Sequence, residues 1–391
     1  MPLKQNKRQL PVYQKQHSFE NFSSLQSKDI VEKQIDRAIQ IAQNNNTTKL
    51  LNSNVIFIIQ KVLSDLLAFR KKEKTDFYIT QFIAEEMLTL NDDQLISYLY
   101  HRYRYDVFPC EQKMDDYPPY LQIEPSSACN FRCVFGYQSD KSYNNNSSGY
   151  LGTMTFDMFK RIVDQVEGKV EFISLASRGE PLLCKDITKM LEYSVGKFLG
   201  LKVNTNASLL TEQNAHAILA GGVKTLVFSV DAAEEALYEK LRVNGSLKKT
   251  IKNIERFHTI RARYYPHSRL ITRISGVLYN NEQNIESMQK LWGSMVDQIT
   301  FVKYNPIKNI YSSPPNTLTS PCSELWRRMF VWFDGTTNIC ENDYKSTLAV
   351  GNVNEKTITE LWQSEPYRRL REIHFQKQRG KIEPCLRCYV V

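Results

Sequence analysis

Short apolar runs alternate with amphipathic helical stretches through the middle of this 391-residue chain. Six runs rich in β-branched and aromatic residues occupy 121–124, 170–176, 201–206, 224–231, 270–279 and 298–305. Helical patterns lie between them, at 155–167, 186–198, 211–220, 233–242, 247–263 and 282–293. Strands that alternate with helices predict a parallel sheet with right-handed crossovers. Six such units fit an α/β fold, a partial (β/α)6 TIM-like barrel with its active site at the C-terminal ends of the strands.

Two further segments flank the predicted barrel. Apolar residues spaced three and four apart predict a mostly helical N-terminal extension at 1–115, with a disordered or loosely attached start at 1–27 and a loop at 44–49. The proline-containing stretch 115–120 ends this extension, so the barrel is expected at 116–305. A Pro/Ser/Asn-rich linker and a small cysteine-rich module are expected at 306–391, with one helix over 357–376.

Charge and cysteine content narrow the class of protein. The net charge is +9, but the excess is spread along the chain without a nucleic-acid-binding signature, so no nucleic-acid partner is expected. The most apolar run, 55–69, contains Lys61 and Asp65 and is too short to span a bilayer, so no membrane association is expected. No apolar secretory segment is seen at the N-terminus. Eight cysteines in such a chain indicate metal-binding or catalytic thiols in a reducing cytoplasm.

The loop after the first predicted strand carries two closely spaced cysteines. Cys129 and Cys133 are four residues apart and are followed by Phe135 and Gly136. Thiolates hold [4Fe–4S] clusters, and three cysteines on one loop leave the fourth iron open. With a cysteine at position 136, this spacing would be the signature of the radical S-adenosylmethionine (SAM) superfamily, which the chain resembles. The resemblance implies a [4Fe–4S] cluster, SAM, and reductive cleavage of SAM to a 5′-deoxyadenosyl radical.

The ends of the next two predicted strands strengthen this resemblance. Gly179 and Glu180 resemble the Gly-Glu motif of the superfamily, whose carboxylate receives the amino group of SAM. Asn204 and Asn206 lie in a stretch that resembles the segment closing the third strand, near the cofactor.

The fourth and fifth predicted strands continue the match in the same order. Ser229 and Arg242 match positions that in the superfamily meet the ribose and carboxylate of SAM, and 272–280 resembles the segment on the adenine side. The cofactor contacts that the resemblance implies are Phe135, Gly179, Glu180, Asn206, Ser229 and Arg242.

Gly136 stands where the resemblance requires the third cluster cysteine. Glycine has no ligand atom, so cluster occupancy and SAM cleavage are expected to fall sharply. Three explanations stay open: a recent or artificial loss of the cysteine, a natural pseudoenzyme, or an unusual replacement ligand. The intact surrounding motifs favour a recent or artificial loss.

Four more cysteines follow the linker. They are Cys322, Cys340, Cys385 and Cys388, the number needed to ligate one complete [4Fe–4S] cluster. The segment is similar to the SPASM/twitch modules that follow many radical SAM barrels, which implies one auxiliary [4Fe–4S] cluster. Four thiolates also suit a tetrahedral structural zinc ion, and this alternative remains open. Cys110 and Cys184 are expected to be ordinary semi-buried thiols.

Together these motifs predict an iron–sulfur enzyme that modifies a peptide or carbohydrate-type substrate. The resemblance also implies an external electron donor such as flavodoxin or ferredoxin. The alternative is a catalytically silent binding or scaffold protein on the same fold, retaining only the C-terminal cluster. A zinc-stapled (β/α) domain without iron is a third possibility.

Overall fold

One large mixed sheet runs through the molecule. The computed structural model describes residues 12–14, 18–43, 52–145, 147–306 and 310–391. Its strands are β1 (Glu20–Ser24), β2 (Tyr120–Ile123), β3 (Arg132–Cys133), β4 (Phe172–Leu175), β5 (Gly200–Thr205), β6 (Thr225–Ser229), β7 (Arg242–Val243), β8 (Ile271–Leu278), β9 (Gln298–Lys303), β10 (Arg328–Val331), β11 (Thr336–Asn338) and β12 (Gly351–Asn352). Ten of them form a sheet in the order β1-β9-β8-β6-β5-β4-β2-β10-β11-β12, while β3 and β7 pair separately.

The central six strands form the predicted barrel. The strands β2, β4, β5, β6, β8 and β9 run parallel to one another. The intervening helices are Phe156–Val166, Ile187–Tyr193, Glu212–Ala220, Glu235–Leu241, Leu247–Tyr264 and Ile285–Trp292. The prediction of an α/β fold built from six βα units is therefore confirmed.

Side-chain alternation along each strand separates a polar face from an apolar face. In β5, Leu201 and Val203 are buried in the main hydrophobic core. The intervening Lys202 lies on the other face, in register with Ser174 of β4 and Thr225 of β6. Because successive side chains of a strand point to opposite faces, the helices cover the apolar side and polar side chains line the interior.

The N-terminal extension is a helical domain with its own hydrophobic core. Its helices are Ile30–Gln43, Ser53–Arg70, Gln81–Leu88, Asp92–Asp106 and Phe108–Glu111. Phe172, the first residue of β4, packs against this core, so the domain covers the N-terminal ends of the barrel strands. The expected loop at 44–49 lies outside the described residues.

Residues 20–24 differ from the expectation of a loosely attached start. They form β1, which pairs antiparallel with β9 and closes that edge of the sheet. Its polar sequence, ENFSS, suits an edge strand with one exposed side.

The C-terminal module extends the barrel sheet at its other edge. Strand β10 pairs parallel with β2, and β11 and β12 continue antiparallel. The single helix expected over 357–376 is instead two helices, Ile358–Trp362 and Glu365–Phe375. Pro366 accounts for the break, because proline suits the first turn of a helix and disrupts a helix interior. Within the described residues, no helix is long and apolar enough to cross a membrane.

Candidate functional site

The two loop cysteines lie at the C-terminal end of the barrel, and Cys133 is held by strand pairing. Cys133 in β3 pairs with Arg242 in β7, and the backbone N–H of Val134 donates to the carbonyl of Leu241 at 3.0 Å. The sulfur of Cys129 accepts a hydrogen bond from the backbone N–H of Phe131 at 3.4 Å. Burial raises the pKa of Cys129 to about 12 and also raises that of Cys133. Both groups are therefore thiols until a metal displaces the proton.

Glycine is not required at position 136 by the backbone or by packing. Its φ of −96° and ψ of 169° lie in the extended region that any residue adopts. A β-carbon added there would lie 3.6 Å from the β-carbon of Cys133 and 3.7 Å from its carbonyl oxygen, which are ordinary contacts. The loop thus has the space and conformation for a third cysteine, but the side chain is missing.

Gly179, in contrast, is required by close packing. A β-carbon on residue 179 would lie 2.5 Å from the carbonyl oxygen of Ser126 and closer still to that of Ala128. The next residue, Glu180, donates its backbone N–H to the carbonyl of Ala128 at 2.9 Å. The absence of a side chain at 179 therefore lets the Gly-Glu turn lie against the chain just before Cys129.

The carboxylate of Glu180 is buried and held by three donors. It accepts hydrogen bonds from the hydroxyl of Thr205 at 2.7 Å, the backbone N–H of Asn206 at 2.8 Å and that of Leu182 at 3.1 Å. Burial raises its pKa to about 6, against the opposing effect of these donors. Oε1 accepts two of these bonds and Oε2 accepts one, so a lone pair of Oε2 can still accept a cationic donor such as a ligand ammonium.

Asn206 connects this carboxylate region to the cysteine loop. Its amide nitrogen donates to the side-chain oxygen of Asn130 at 3.0 Å and lies 3.9 Å from the sulfur of Cys129. The side-chain oxygen of the neighbouring predicted residue Asn204 is buried without a hydrogen-bond partner among the described residues.

Arg242 lies between a carboxylate and a cysteine. Its Nε forms a buried ion pair with Asp231 at 2.5 Å, and its Nη1 lies 3.9 Å from the sulfur of Cys133. Its guanidinium carbon is 5.9 Å from the centre of the Phe135 ring. Ser229 ends β6, two residues before Asp231. The structure thus brings five of the six predicted cofactor contacts close to the cysteine loop, and the sixth, Ser229, lies at the end of β6.

Sequence reasoning missed the partners that hold these groups in position. Asp231 is not among the predicted site residues, although it pairs with Arg242 and accepts from the backbone N–H of Val277 at 2.6 Å. Thr205 and Asn130 were also missed. The sequence signal available for Asp231 was its position as a polar residue directly after a buried strand. The signal did not identify its partner Arg242, which lies eleven residues further along the chain.

A buried ion pair links the barrel to the C-terminal module. Arg178 contacts both carboxylate oxygens of Glu124, at 2.8 and 2.6 Å, and donates to the carbonyl of Tyr344 at 2.8 Å. Its guanidinium lies 4.2 Å from the centre of the Trp332 ring. The Gly-Glu turn is therefore anchored to the segment that follows Cys340.

The four C-terminal cysteines line one largely apolar cavity. The backbone N–H of Asn342 donates to the sulfur of Cys340 at 3.2 Å, and that of Val390 donates to the sulfur of Cys388 at 3.4 Å. Burial raises the pKa of Cys322 to about 11 and raises those of Cys340 and Cys385 further. Thiols in one apolar cavity with N–H donors directed at sulfur suit an iron–sulfur cluster.

Arg379 holds the last cysteine turn in place. Its buried guanidinium donates to the carbonyl oxygens of Cys388 at 2.9 Å, Val390 at 2.8 Å, Ser320 at 3.1 Å and Cys385 at 3.3 Å. One side chain thus joins the chain before Cys322 to the Cys-x2-Cys turn.

The remaining cysteines lie away from both sets. Cys184 is buried in the main core, with its sulfur 3.5 Å from the carbonyl of Met154, and Cys110 is exposed on the helical domain. In the described part of the chain, none of the eight cysteines forms a disulfide. No group of three or more Cys, His, Asp or Glu side chains there is arranged to hold a single metal ion.

Comparison with known families agrees with this arrangement. The radical SAM superfamily matches residues 123–291, and the iron–sulfur cluster-binding SPASM domain matches residues 322–389. The chain is a radical SAM protein with a C-terminal SPASM module. These two domains imply a [4Fe–4S] cluster, an auxiliary cluster and SAM, and the second favours iron–sulfur over zinc at the C-terminal cysteines.

Two curated relatives show distant similarity to part of the chain. This chain is 29% identical over 143 residues to an AdoMet-dependent heme synthase of Methanosarcina barkeri, and the match covers 36% of this chain and 40% of the heme synthase. It is 24% identical over 140 residues to the mycofactocin maturase MftC of Mycolicibacterium smegmatis, and this match covers 36% of this chain and 34% of MftC. The chain thus spans less than half the length of these relatives.

A solved structure shares the fold over a longer span. SuiB of Streptococcus suis bound to S-adenosylmethionine superimposes with a TM-score of 0.53 at 17% identity, covering 83% of this chain and 84% of SuiB. SuiB bound to its precursor peptide SuiA gives the same TM-score at 16% identity, covering 87% of each chain.

The residues present fit the two clusters unequally. The SPASM module supplies four thiols around one cavity, as a complete [4Fe–4S] ligand set requires. The radical SAM loop supplies two thiols, one fewer than a cluster with a single open iron requires.

Proposed function

We propose that this protein has the architecture of a SAM-cleaving enzyme acting on a peptide or carbohydrate-type substrate, and that one missing thiolate at position 136 blocks its activity. The observation that carries the proposal is the contrast between position 136 and its surroundings. The backbone at Gly136 accepts a side chain without strain, whereas Gly179, Glu180 and the Asp231–Arg242 pair keep specific, tightly packed geometry.

The side chains at the strand ends would bind and orient SAM. Glu180 would accept the amino group, since its carboxylate is fixed by three donors and retains a free lone pair on Oε2. Arg242 would pair with the carboxylate of SAM while Asp231 holds its guanidinium in place. Asn206 and Ser229 would lie toward the ribose, and Phe135 would cover the cluster. In radical SAM enzymes the bound cluster supplies the electron that cleaves SAM.

A peptide is our first candidate substrate. SuiB, which shares this fold, is seen bound to its precursor peptide, and MftC is named as a maturase. A carbohydrate-type substrate is the second candidate. Electrons would come from an external donor such as flavodoxin or ferredoxin, and a reducing cytoplasm would keep the eight thiols free.

The alternative function is a silent binding or scaffold protein that retains only the auxiliary cluster. Gly136 is the observation that favours it. The two proposals differ in whether restoring one thiol restores chemistry.

Anaerobic iron and sulfide analysis of the chain, Gly136→Cys and Gly136→Ser distinguishes them, together with a 5′-deoxyadenosine assay. We expect about four irons in the chain and in Gly136→Ser, and about eight in Gly136→Cys. Only Gly136→Cys should produce 5′-deoxyadenosine. If Gly136→Cys binds the second cluster but still makes none, the silent function is supported instead.

A further inference from the structure

A second cavity, of about 370 Å³, lies between the N-terminal helical domain and the barrel. On the barrel side it is lined by residues at the starts of strands, including Tyr120, Phe172 and Thr225. On the other side it is lined by the helices Gln81–Leu88 and Asp92–Asp106. Parallel strands all begin at one end of a barrel, so this cavity is at the opposite end from the cysteine loop.

Cationic side chains outnumber anionic ones around this cavity. The cations that line it are Arg102, Lys202, Lys224, Arg273, Arg327 and Arg328. The carboxylates that line it are Glu86 and Asp106. Three of the arginines are already paired, Arg102 with Asp106 at 2.7 Å, and Arg327 and Arg328 with the same Glu324 at 2.6 and 4.0 Å. The cavity therefore keeps an excess of positive charge.

Arg273 is a buried cation that makes no direct ion pair in the described part of the chain, although Glu86 and Glu85 lie near enough to attract it. It is only 3% exposed, its Nε donates to the amide oxygen of Gln298 at 2.7 Å, and its Nη2 has no hydrogen-bond partner there. The guanidinium carbon lies 4.5 Å from the centre of the Phe82 ring and 5.4 Å from that of Phe19. A buried charged donor without a hydrogen-bond acceptor is destabilising unless a ligand accepts it.

Lys202 lines the same cavity from β5, which is separated by β6 from the strand β8 that carries Arg273. Among the described residues it makes no ion pair, and its Nζ lies 5.7 Å from the centre of the Tyr120 ring. Burial, with Arg328 and Arg273 close by, lowers the pKa of Lys202 to about 8. Cations crowded in a buried space repel one another, and an anion placed between them removes that repulsion.

Aromatic side chains form the rest of the cavity wall. Tyr98, Tyr105 and Phe172 line it, and the absence of a side chain at Gly200 lets the Phe172 ring lie directly on the β5 backbone. Apolar walls with a few convergent charged groups are typical of small-molecule sites, and 370 Å³ is within their usual size range of about 300–1,000 Å³.

We propose that this cavity binds a small organic anion, whose phosphate or carboxylate group lies between Lys202 and Arg273 and whose apolar body contacts the aromatic wall. The site is separate from the SAM site and does not depend on the cluster at the barrel mouth.

Calorimetric titration of the full chain tests the site, with phenyl phosphate, benzoate and uncharged benzyl alcohol as probes. These probes contain no adenine, and saturating SAM is added to cover the other end of the barrel. We expect one of the two anions to bind with a dissociation constant below about 1 mM, and benzyl alcohol to bind at least about tenfold more weakly. The stronger anion identifies the charged group as phosphate or carboxylate.

Matched variants locate the binding. Lys202→Met and Arg273→Met should each weaken anion binding by about tenfold or more. Lys252→Met, which removes an exposed lysine, should leave the affinity for the anion unchanged. Reductive methylation of the unmutated chain, read by mass spectrometry, provides a test that needs no variant. The anion should protect Lys202 and leave Lys252 reactive. Equal affinity in Lys202→Met, or no protection of Lys202 by either anion, would overturn the proposal.

Discussion

A β-carbon on Gly179 would lie 2.5 Å from the carbonyl oxygen of Ser126, so the Gly-Glu turn and the chain preceding Cys129 are in direct backbone contact. This contact fixes the position of Glu180, the next residue, relative to the cysteine loop. The two motifs are 50 residues apart in the sequence but act as one structural unit.

Gly179→Ala should separate these two segments. Overpacking against backbone atoms cannot be relieved by a rotamer change, so we expect the free energy of unfolding to fall by about 1–3 kcal/mol. SAM binding should weaken as well. Urea unfolding measures the first effect, and Gly136→Ala is the matched control, expected to remain within about 0.5 kcal/mol of the parent chain. Equal stability of the two variants would contradict the close contact.

Glu180→Gln should weaken SAM binding by about tenfold or more, because it removes the charge proposed to accept the amino group. The substitution also places an amide N–H₂ opposite a backbone N–H that donates to the carboxylate of Glu180 in the parent chain, so one of these hydrogen bonds is lost. Calorimetry with SAM measures the loss. The exposed carboxylate variant Glu355→Gln should bind SAM like the parent, and unchanged affinity in Glu180→Gln would rule out the assigned role.

Asp231→Asn should destabilise the fold by about 3–5 kcal/mol, because it leaves the buried guanidinium of Arg242 without a counter-charge. The double variant Asp231→Asn/Arg242→Met should recover part of that loss, since both charges are then absent. Urea unfolding of the two single variants and the double variant measures the coupling.

Glu235→Gln serves as the control for this cycle. It breaks a surface pair with Lys248, in which the two side chains are 44% and 82% exposed, and should cost less than about 1 kcal/mol. Strict additivity of the two buried changes would show that the pair is not coupled.

Cys388→Ser should remove the auxiliary cluster, with a loss of about four irons and four sulfides per chain. Cys184→Ser removes another buried thiol, which lies in the main core rather than in the cysteine cavity, so the iron content of this variant should not change. Metal and sulfide analysis measures both variants. Zinc without sulfide in the parent chain would support the structural zinc site instead.

The sequence alone was sufficient to predict the six βα units and the radical SAM and SPASM domains, while the individual cofactor contacts and the missing ligand at position 136 stay predictions. These features depend on local periodicity and on motifs at strand ends, both of which are determined by short segments of the sequence. For the same reason the sequence failed where a local pattern was ambiguous. The apolar spacing over 357–376 fits one helix, but Pro366 divides it into two.

Only the tertiary structure decided which distant groups meet. Asp231 pairs with Arg242, Arg178 joins Glu124 to Tyr344, and Lys202 faces Arg273 in a shared cavity. Contacts of this kind depend on how separate elements pack, and no periodicity in either segment encodes them. Likewise, the sequence shows that residue 136 lacks a sulfur, but only the backbone angles and surrounding space show that a cysteine fits there.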